Sequence, residues 1–328
     1  MTKRKKIVLK LGGMCNLHCK NCHCMPLKFE YNPDIIDRIN RNQIEVIHLG
    51  GGEPFMYFDL IRKIVPKIHV KQIGLTTNGT LLTDEIIEFC NKYNIRVAFS
   101  YDGQNSKRDP VLPDYERIKK LKHIGTSSVF YHGNTDIRQM ENDLHRLGEI
   151  YDIDSCKRNI TFLPAFVHQT KNAPNSDTTR EDAKKYILQV GRLFELGFIQ
   201  YNKNQKYSLG AVFNFIRHYL NHKPYTIGCR CCNPNNVSLA IDGRFILCPY
   251  GNDFVGDIYK GVDWGAVEKH IPDKCKACAL RKYCGTSCVA QITDNECYIF
   301  RCLYRHYKKL LKKYNINEKE ILSLDFDS

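Results

Sequence analysis

Residues 15–22 read Cys-Asn-Leu-His-Cys-Lys-Asn-Cys and follow a short apolar segment, Ile7–Leu11, that we predict to be a strand. The cysteines of this run are Cys15, Cys19 and Cys22. Three thiolates can hold three irons of a cubane cluster and leave the fourth iron open to another ligand, whereas a fully ligated cluster mostly carries electrons. A structural zinc site needs four protein ligands, and His23 or Cys24 could supply the fourth. The run therefore indicates a metal site of one of these two kinds.

The chain has 328 residues and 16 cysteines. The basic N-terminus is followed by only about five apolar residues before a glycine, which is too few for a signal peptide. No apolar run approaches the roughly 20 residues that a membrane span requires. We therefore expect a cytoplasmic protein with no membrane partner, in which clustered cysteines serve metal or redox chemistry rather than disulfides.

The charge balance is 49 Lys and Arg against 35 Asp and Glu, a formal net charge of +14. The basic residues are scattered, and the local clusters are Lys3–Lys6 and Lys308–Lys313. A solvated basic surface explains this pattern better than a nucleic-acid interface does.

The first half of the chain alternates apolar strands with amphipathic helices. The predicted strands are Ile7–Leu11, Val46–Leu49, Gln72–Thr76, Arg96–Ser100, Ser128–Tyr131 and Ile160–Phe166. The predicted helices are Asp34–Arg41, Asp59–Ile68, Asp84–Tyr93, Asp114–His123 and Asp136–Tyr151. This alternation predicts an α/β fold with a parallel sheet and right-handed crossovers, and six such units form a partial (β/α)6 TIM barrel.

A longer helix is predicted over Thr178–Leu196, with Thr178 or Thr179 as its N-cap and Gly197 as its stop, and a second one over Phe213–Leu220. We expect residues 1–200 to form the barrel and residues 201–228 to form a linking helical segment.

The composition changes at Gly228, because ten of the 16 cysteines fall between Cys229 and Cys302. Asp242-Gly243, flanked by apolar segments, predicts a β-hairpin. A basic helix is predicted over Leu303–Tyr314. Residues 229–328 are therefore expected to form a small cysteine-rich domain with a hairpin and a C-terminal helix.

The spacing Cys15-x3-Cys19-x2-Cys22 in a loop after the first strand resembles the radical S-adenosylmethionine (SAM) superfamily. The resemblance implies that these cysteines hold a [4Fe–4S] cluster and that SAM chelates its open iron. One residue departs from the family pattern: Asn21 stands before the third cysteine, where the family usually has an aromatic residue near the adenine.

Further motifs follow the next strands in order, and the resemblance implies that they line the SAM pocket. These candidates are Gly51, Gly52, Glu53, Pro54, Asn78, Ser100 and Asp102. Ligands of parallel α/β sheets bind at the carboxyl ends of the strands, which is where these residues are predicted to lie. In the family the Gly-Gly-Glu segment contacts the SAM amino group.

The second cysteine block resembles a SPASM domain, an extension that carries auxiliary iron–sulfur clusters. The resemblance implies one cluster held by Cys275, Cys278, Cys284 and Cys302. It implies a second cluster held by Cys248 and Cys288 with two upstream cysteines, for which we prefer Cys229 and Cys232 over Cys231. Cys297 competes with Cys302, and a zinc ribbon is the alternative reading of the block.

By this resemblance the chain is expected to be a radical SAM oxidoreductase that modifies a peptide or protein, as maturases of ribosomal peptides and sulfatases do. The expected cofactors are SAM and three [4Fe–4S] clusters, and the electron donor is a flavodoxin or ferredoxin. Sulfatase maturation is disfavoured, because Pro249 stands where those maturases have a catalytic Asp, and Asp253 is a weak substitute. The first strand begins too near Met1 for a leader-binding domain, so leader recognition is expected from another protein or from the cleft.

Three alternatives stay open. They are a radical SAM enzyme that acts on a small molecule, a plain electron-transfer iron–sulfur protein, and a zinc-dependent nucleic-acid binder. Neither the substrate nor the bond formed can be predicted from the sequence.

Overall fold

The protein is described from a computed structural model over residues 6–19, 22, 24, 26–103, 115–151, 165–166, 179–203, 211–212, 215–216, 236–247, 253–281, 283–284 and 293–323. The strands are β1 Lys6–Lys10, β2 Val46–Gly50, β3 Gln72–Thr77, β4 Arg96–Ser100, β5 Ile124–Ser127, β6 Val129–Phe130, β7 Ala165–Phe166, β8 Asn236–Ala240, β9 Arg244–Ile246, β10 Phe254–Asp257 and β11 Gly261–Val262. The helices are α1 Asp34–Arg41, α2 Phe58–Ile64, α3 Asp84–Lys92, α4 Tyr115–Ile118, α5 Ile137–Tyr151, α6 Arg180–Tyr201, α7 Trp264–Lys269, α8 Asp273–Lys276, α9 Asp294–Tyr314 and α10 Glu318–Ser323.

A nine-stranded sheet has the order β11-β10-β9-β8-β1-β2-β3-β4-β5. The pairs from β8 through β1 to β5 are parallel, and β8 to β11 pair antiparallel. Strands β6 and β7 form a separate parallel pair, and β6 comes directly after β5 in the chain. The predicted α/β architecture with a parallel sheet is confirmed.

The burial alternates along the strands because one face of the sheet packs against helices. In β1 the side chains of Ile7 and Leu9 are buried, and they share one apolar cluster with Ile35 of α1 and Ile61 of α2. The opposite face and the loops that follow the strands are therefore the parts of the sheet that remain available for a site.

The hairpin of the cysteine-rich part continues the same sheet. β8 lies beside β1 in register, with Lys6 opposite Asn236 and Lys10 opposite Ala240. The predicted turn is confirmed, and Gly243 adopts a φ of +96° there. The first strand, and the cysteine loop that follows it, are thus held between β2 and β8.

Helices α6 and α9 pack against each other around a second apolar cluster that contains Phe194, Phe198, Phe300 and Tyr307. The prediction that Gly197 ends α6 is wrong. The helix continues to Tyr201, because the buried stripe on both sides of Gly197 packs against α9 and outweighs the low helix propensity of glycine.

Two other boundaries differ from the predictions. The strand that pairs with β4 is Ile124–Ser127, in a weakly apolar stretch before the predicted Ser128–Tyr131, and the predicted span contains the short β6, Val129–Phe130. Helix α9 begins at Asp294 rather than near Leu303, because Thr293 and Glu296 form a capping box. The helix predicted over Phe213–Leu220 lies mostly outside the described residues. Among the helices of the described part of the chain, none is long and apolar enough to cross a membrane.

Candidate functional site

The segment Gly51–Pro54 packs directly on the cysteine loop. The backbone N–H of Glu53 donates to the carbonyl of Met14 at 2.8 Å. A Cβ atom on Gly52 would lie 2.5 Å from the carbonyl oxygen of Gly13 and 2.6 Å from the carbonyl carbon of Met14. Glycine at position 52 is therefore required for the two loops to approach each other.

Tyr57 holds the same loop from the other side. Its hydroxyl oxygen accepts a hydrogen bond from the backbone N–H of Met14 at 2.8 Å. A Cβ atom on Gly12 would lie 2.7 Å from Cε1 of the Tyr57 ring and closer still to Cζ and the hydroxyl oxygen. No local sequence pattern indicates this contact, because Met14 and Tyr57 are 43 residues apart in the chain.

The carboxylate of Glu53 is buried, at 1% exposure, and connects the ends of β2 and β3. It accepts hydrogen bonds from the backbone N–H of Phe55 at 3.1 Å, the hydroxyl of Thr77 at 2.7 Å and the backbone N–H of Asn78 at 2.7 Å. Burial raises the pKa of Glu53, and these three hydrogen bonds oppose the rise. The structure thus gives Glu53 internal donors, which the sequence did not indicate.

Asn78 connects this network to the first cysteine. Its side-chain amide nitrogen lies 2.9 Å from Oδ1 of Asn16 and 3.8 Å from Sγ of Cys15. Its amide oxygen accepts from the backbone N–H of Thr80 at 2.9 Å and from the Thr80 hydroxyl at 2.7 Å. The backbone N–H of Leu17 donates to the same Cys15 sulfur at 3.4 Å.

The thiols of the loop lie close enough to affect one another's ionisation. Burial raises the pKa of Cys15, as do the charges of Glu53 and Cys22, while the hydrogen bonds from Leu17 and Asn78 lower it. The pKa of Cys24 is also raised, first by its hydrogen bond with Cys22 and then by burial. Cys24 donates to the carbonyl of Gly51 at 3.2 Å.

The donor set of this loop fits an iron–sulfur cluster. Thiols gather at one strand end, and N–H groups point at the Cys15 sulfur, as they do around cluster thiolates. Within the part of the chain that the structure describes, no group of three or more His, Cys, Asp or Glu side chains could hold a single metal ion.

Ser100 and Asp102 lie at the carboxyl end of β4. Ser100 is half-buried, on the face opposite to the buried Val97 and Phe99. Asp102 is buried, and its carboxylate accepts from the backbone N–H of Val129 at 2.9 Å while its carbonyl accepts from the side chain of Asn134. Asp102 therefore ties β4 to β6.

Another ordered group follows β6. His132 Nδ1 lies 2.9 Å from a carboxylate oxygen of Asp182, which also forms the capping box of α6 with Thr179. Burial acts to raise the pKa of Asp182, but the hydrogen bonds from Thr179 and His132 hold it below its ordinary value of 3.8. The exposed His132 is thus anchored at the same edge of the fold as the strand-end motifs.

In the cysteine-rich part, Cys275, Cys278, Cys284 and Cys297 lie near one another. Burial is the main cause that raises the pKa of Cys297; Lys274 lowers it, and the charges of Cys275 and Cys284 add smaller upward shifts. Positions 297 and 302 are five residues apart on α9, so their side chains point about 140° apart. The two cysteines therefore face different directions, and only one of them can face the same cluster.

The other predicted ligands, Cys229, Cys232, Cys248 and Cys288, lie outside the described residues, as do Cys231, Asn21, His23 and Pro249.

Residues 9–128 match the sequence model of the Radical SAM superfamily. The chain is 21% identical over 379 residues to the radical SAM cyclopropyl synthase TigE of Paramaledivibacter caminithermalis, covering 98% of this chain and 76% of TigE. It is 29% identical over 282 residues to a probable GTP 3′,8-cyclase of Methanococcus vannielii, covering 76% and 86%. Its fold is similar to that of anSMEcpe, solved with bound AdoMet and a Cp18Cys peptide, with a TM-score of 0.56, 16% identity and coverage of 94% and 99%.

Proposed function

Because residues 9–128 belong to the Radical SAM superfamily, we propose that this radical SAM enzyme abstracts hydrogen from a peptide or protein substrate and so installs a post-translational modification. The observation that supports the radical chemistry is the cysteine loop seated against Gly51–Pro54 at the strand ends. The peptide substrate is supported by the fold shared with anSMEcpe, which was solved with a peptide bound.

Cys15, Cys19 and Cys22 would hold the cluster. When bound, the cluster and SAM supply a single-electron cleavage that yields methionine and a 5′-deoxyadenosyl radical. The protein's part is positional: Glu53, Thr77 and Asn78 fix the ends of β2 and β3 against the loop. The proposed SAM contacts lie at the same edge of the sheet and are Gly51, Gly52, Pro54 and Ser100. The buried or hydrogen-bonded side chains of Glu53, Asn78 and Asp102 are proposed to hold these contact residues in position.

The cysteine-rich part is proposed to be a SPASM-type domain with two auxiliary [4Fe–4S] clusters. For the cluster of Cys275, Cys278 and Cys284, the electrostatic proximity of Cys297 favours it over Cys302 as the fourth ligand. Cys229, Cys232, Cys248 and Cys288 stay the proposed ligands of the other cluster. A flavodoxin or ferredoxin is the proposed electron donor.

Reductive SAM cleavage tests the radical chemistry. Anaerobically reconstituted protein with dithionite is expected to release 5′-deoxyadenosine and to contain about twelve irons per chain if three cubanes are present. The Cys19→Ala variant is the matched control. Release no greater than that of the control would contradict the proposal, as would stoichiometric zinc without labile sulfide.

Iron analysis also tests the fourth ligand of the auxiliary cluster. Cys297→Ala is expected to lose about four irons per chain, whereas Cys302→Ala keeps them. Loss of about four irons from Cys302→Ala, and none from Cys297→Ala, would instead make Cys302 the fourth ligand.

The substrate class is tested with candidate peptides encoded beside this gene. With a deuterated peptide, deuterium is expected in the released 5′-deoxyadenosine, together with a mass change in the peptide. The similarity to a GTP 3′,8-cyclase makes GTP the small-molecule comparison. Deuterium transfer from labelled GTP, and none from any peptide, would replace the peptide proposal with a nucleotide substrate.

A further inference from the structure

We propose that the side-chain amide of Asn78 acts on the Cys15 ligand and raises the reduction potential of the cluster at the first cysteine loop. This inference rests on the proposed function. It makes Asn78 a positioning residue that acts through a cysteine sulfur.

The orientation of the Asn78 amide is fixed by the donors around it. The backbone N–H of Thr80 can only donate, so the group that faces it at 2.9 Å must be the amide oxygen. The amide nitrogen consequently faces the other way, toward Oδ1 of Asn16 and Sγ of Cys15. An amide nitrogen carries two hydrogens, so it can serve both acceptors.

The position of Asn78 is fixed as well. Its backbone N–H donates to the buried carboxylate of Glu53 at 2.7 Å, and the hydroxyl of Thr77 donates to the same carboxylate. Glu53 is in turn tied to the cysteine loop through the carbonyl of Met14. The amide is therefore held near the Cys15 sulfur by groups on three segments, rather than by its own loop alone.

A donor at this place has a defined electrostatic effect. The positive end of an N–H dipole near a ligand sulfur stabilises negative charge, and a reduced cluster carries one more negative charge than an oxidised one. The reduced state gains more than the oxidised state, so the amide raises the potential. The Leu17 N–H to the same sulfur acts in the same direction, but being a backbone group it cannot be removed by substitution of its side chain.

The test is a redox titration of the reconstituted full chain without SAM, followed by electron paramagnetic resonance. The signal assigned to the first cluster is the component that is missing from the Cys19→Ala variant. Asn78→Leu removes both N–H donors of the side-chain amide. Asn78→Asp keeps the shape of the side chain but places a carboxylate oxygen toward the Cys15 sulfur. Thr80→Val is the control for the surrounding network, because it removes the hydroxyl that donates to Asn78 and accepts from Asn16 but retains the backbone N–H that orients Asn78.

At a fixed applied potential, Asn78→Leu is expected to lower the ratio of reduced to oxidised first cluster roughly three- to tenfold, where tenfold is about 59 mV for one electron. Asn78→Asp is expected to lower it further, and Thr80→Val to leave it near the wild-type value. A lower ratio of reduced to oxidised cluster in Asn78→Asp than in Asn78→Leu supports an electrostatic role. A role in packing alone would not make the aspartate variant harder to reduce than the leucine variant.

Iron and sulfide contents equal to wild type are required of each variant that is compared. If the Asn78→Leu variant does not assemble the first cluster, the reduction potential of that cluster in Asn78→Asp tests the proposal by itself. An unchanged potential in a loaded variant would overturn the proposal, as would loss of the first cluster from both variants, because a tuning group is not needed for assembly. A wild-type protein without the Cys19-dependent component would instead overturn the proposed function itself.

Discussion

Replacing Gly52 with alanine is expected to force apart the two loops that build the site. The Cβ atom of alanine would lie 2.5 Å from the Gly13 oxygen and closer still to the Met14 oxygen, whereas real Cβ atoms essentially never approach within 3.0 Å. Both neighbours are backbone atoms, so no side-chain rotation relieves the clash. One loop must move by at least about 0.5 Å to accommodate the Cβ atom.

The cost follows from two effects. Relief of the overlap is expected to cost about 1–3 kcal/mol, as other overpacked sites do. Separation of the loops also weakens the hydrogen bond from the Glu53 N–H to the Met14 carbonyl, worth about 0.5–1.5 kcal/mol.

Gly51→Ala is the matched control. A Cβ atom at position 51 meets its nearest neighbours at 3.5–3.6 Å, which is ordinary van der Waals contact. Both variants gain the same small stabilisation from a less flexible unfolded chain, so this gain cancels in their difference. We expect the two variants to differ by about 2–4 kcal/mol in the free energy of unfolding.

The measurement is thermal unfolding of both variants and wild type, with iron content determined on the same samples. At about 2 °C per kcal/mol for a chain of this size, Gly52→Ala should melt about 4–8 °C below Gly51→Ala. Equal melting temperatures for the two alanine variants would refute the reasoning, because they would show that the close approach of the loops at Gly52 does not matter.

Three other substitutions test separate contacts. Tyr57→Phe removes the acceptor of the Met14 N–H and should lower the free energy of unfolding by about 0.5–1.5 kcal/mol, measured by thermal shift; an unchanged midpoint would contradict this role. Asp182→Asn should destabilise at pH 7. Since the pKa of Asp182 is lowered, its contribution is present above pH 3.8 and lost as the pH falls through the folded-state pKa, so the gap to wild type should close in acid; a gap independent of pH would refute this. Thr293→Ala removes the N-cap of α9 and should cost about 1 kcal/mol, measured by helical circular dichroism on heating; no loss would exclude the cap as a stabilising contact.

The parallel sheet could be predicted because its strands alternate with amphipathic helices and its buried residues recur on one face. Ile7 and Leu9 of β1 are apolar because they pack against the helix layer, and this alternation is visible in the sequence of the strand itself. The fifth strand was placed too late because Ile124–Ser127 contains a glycine and two hydroxyl residues, and is held by pairing with β4 rather than by its own composition.

The candidate site was predictable in position but not in its internal contacts. The cysteine spacing and the strand-end motifs predict that these residues lie together at one edge of the sheet, and the contacts of Glu53 and Asn78 with the cysteine loop agree with this. The partners of Glu53, however, come from the end of another strand, and their hydrogen bonds depend on the register of β2 and β3. The choice between Cys297 and Cys302 could not be made from the sequence for a similar reason, because the start of α9 at Asp294 determines which way its cysteines point.

The pairing of β1 with β8 has a consequence for the order in which the protein is made. Residue 6 of β1 pairs with residue 236, so during synthesis the first strand waits with one edge open until most of the chain has emerged. An unpaired parallel edge is exposed to wrong partners, and contacts between such distant residues form slowly. The loop of Cys15 therefore acquires its final support only once β8 is available, and metal loading of this loop is expected to follow the synthesis of residues 236–240 rather than that of the loop itself.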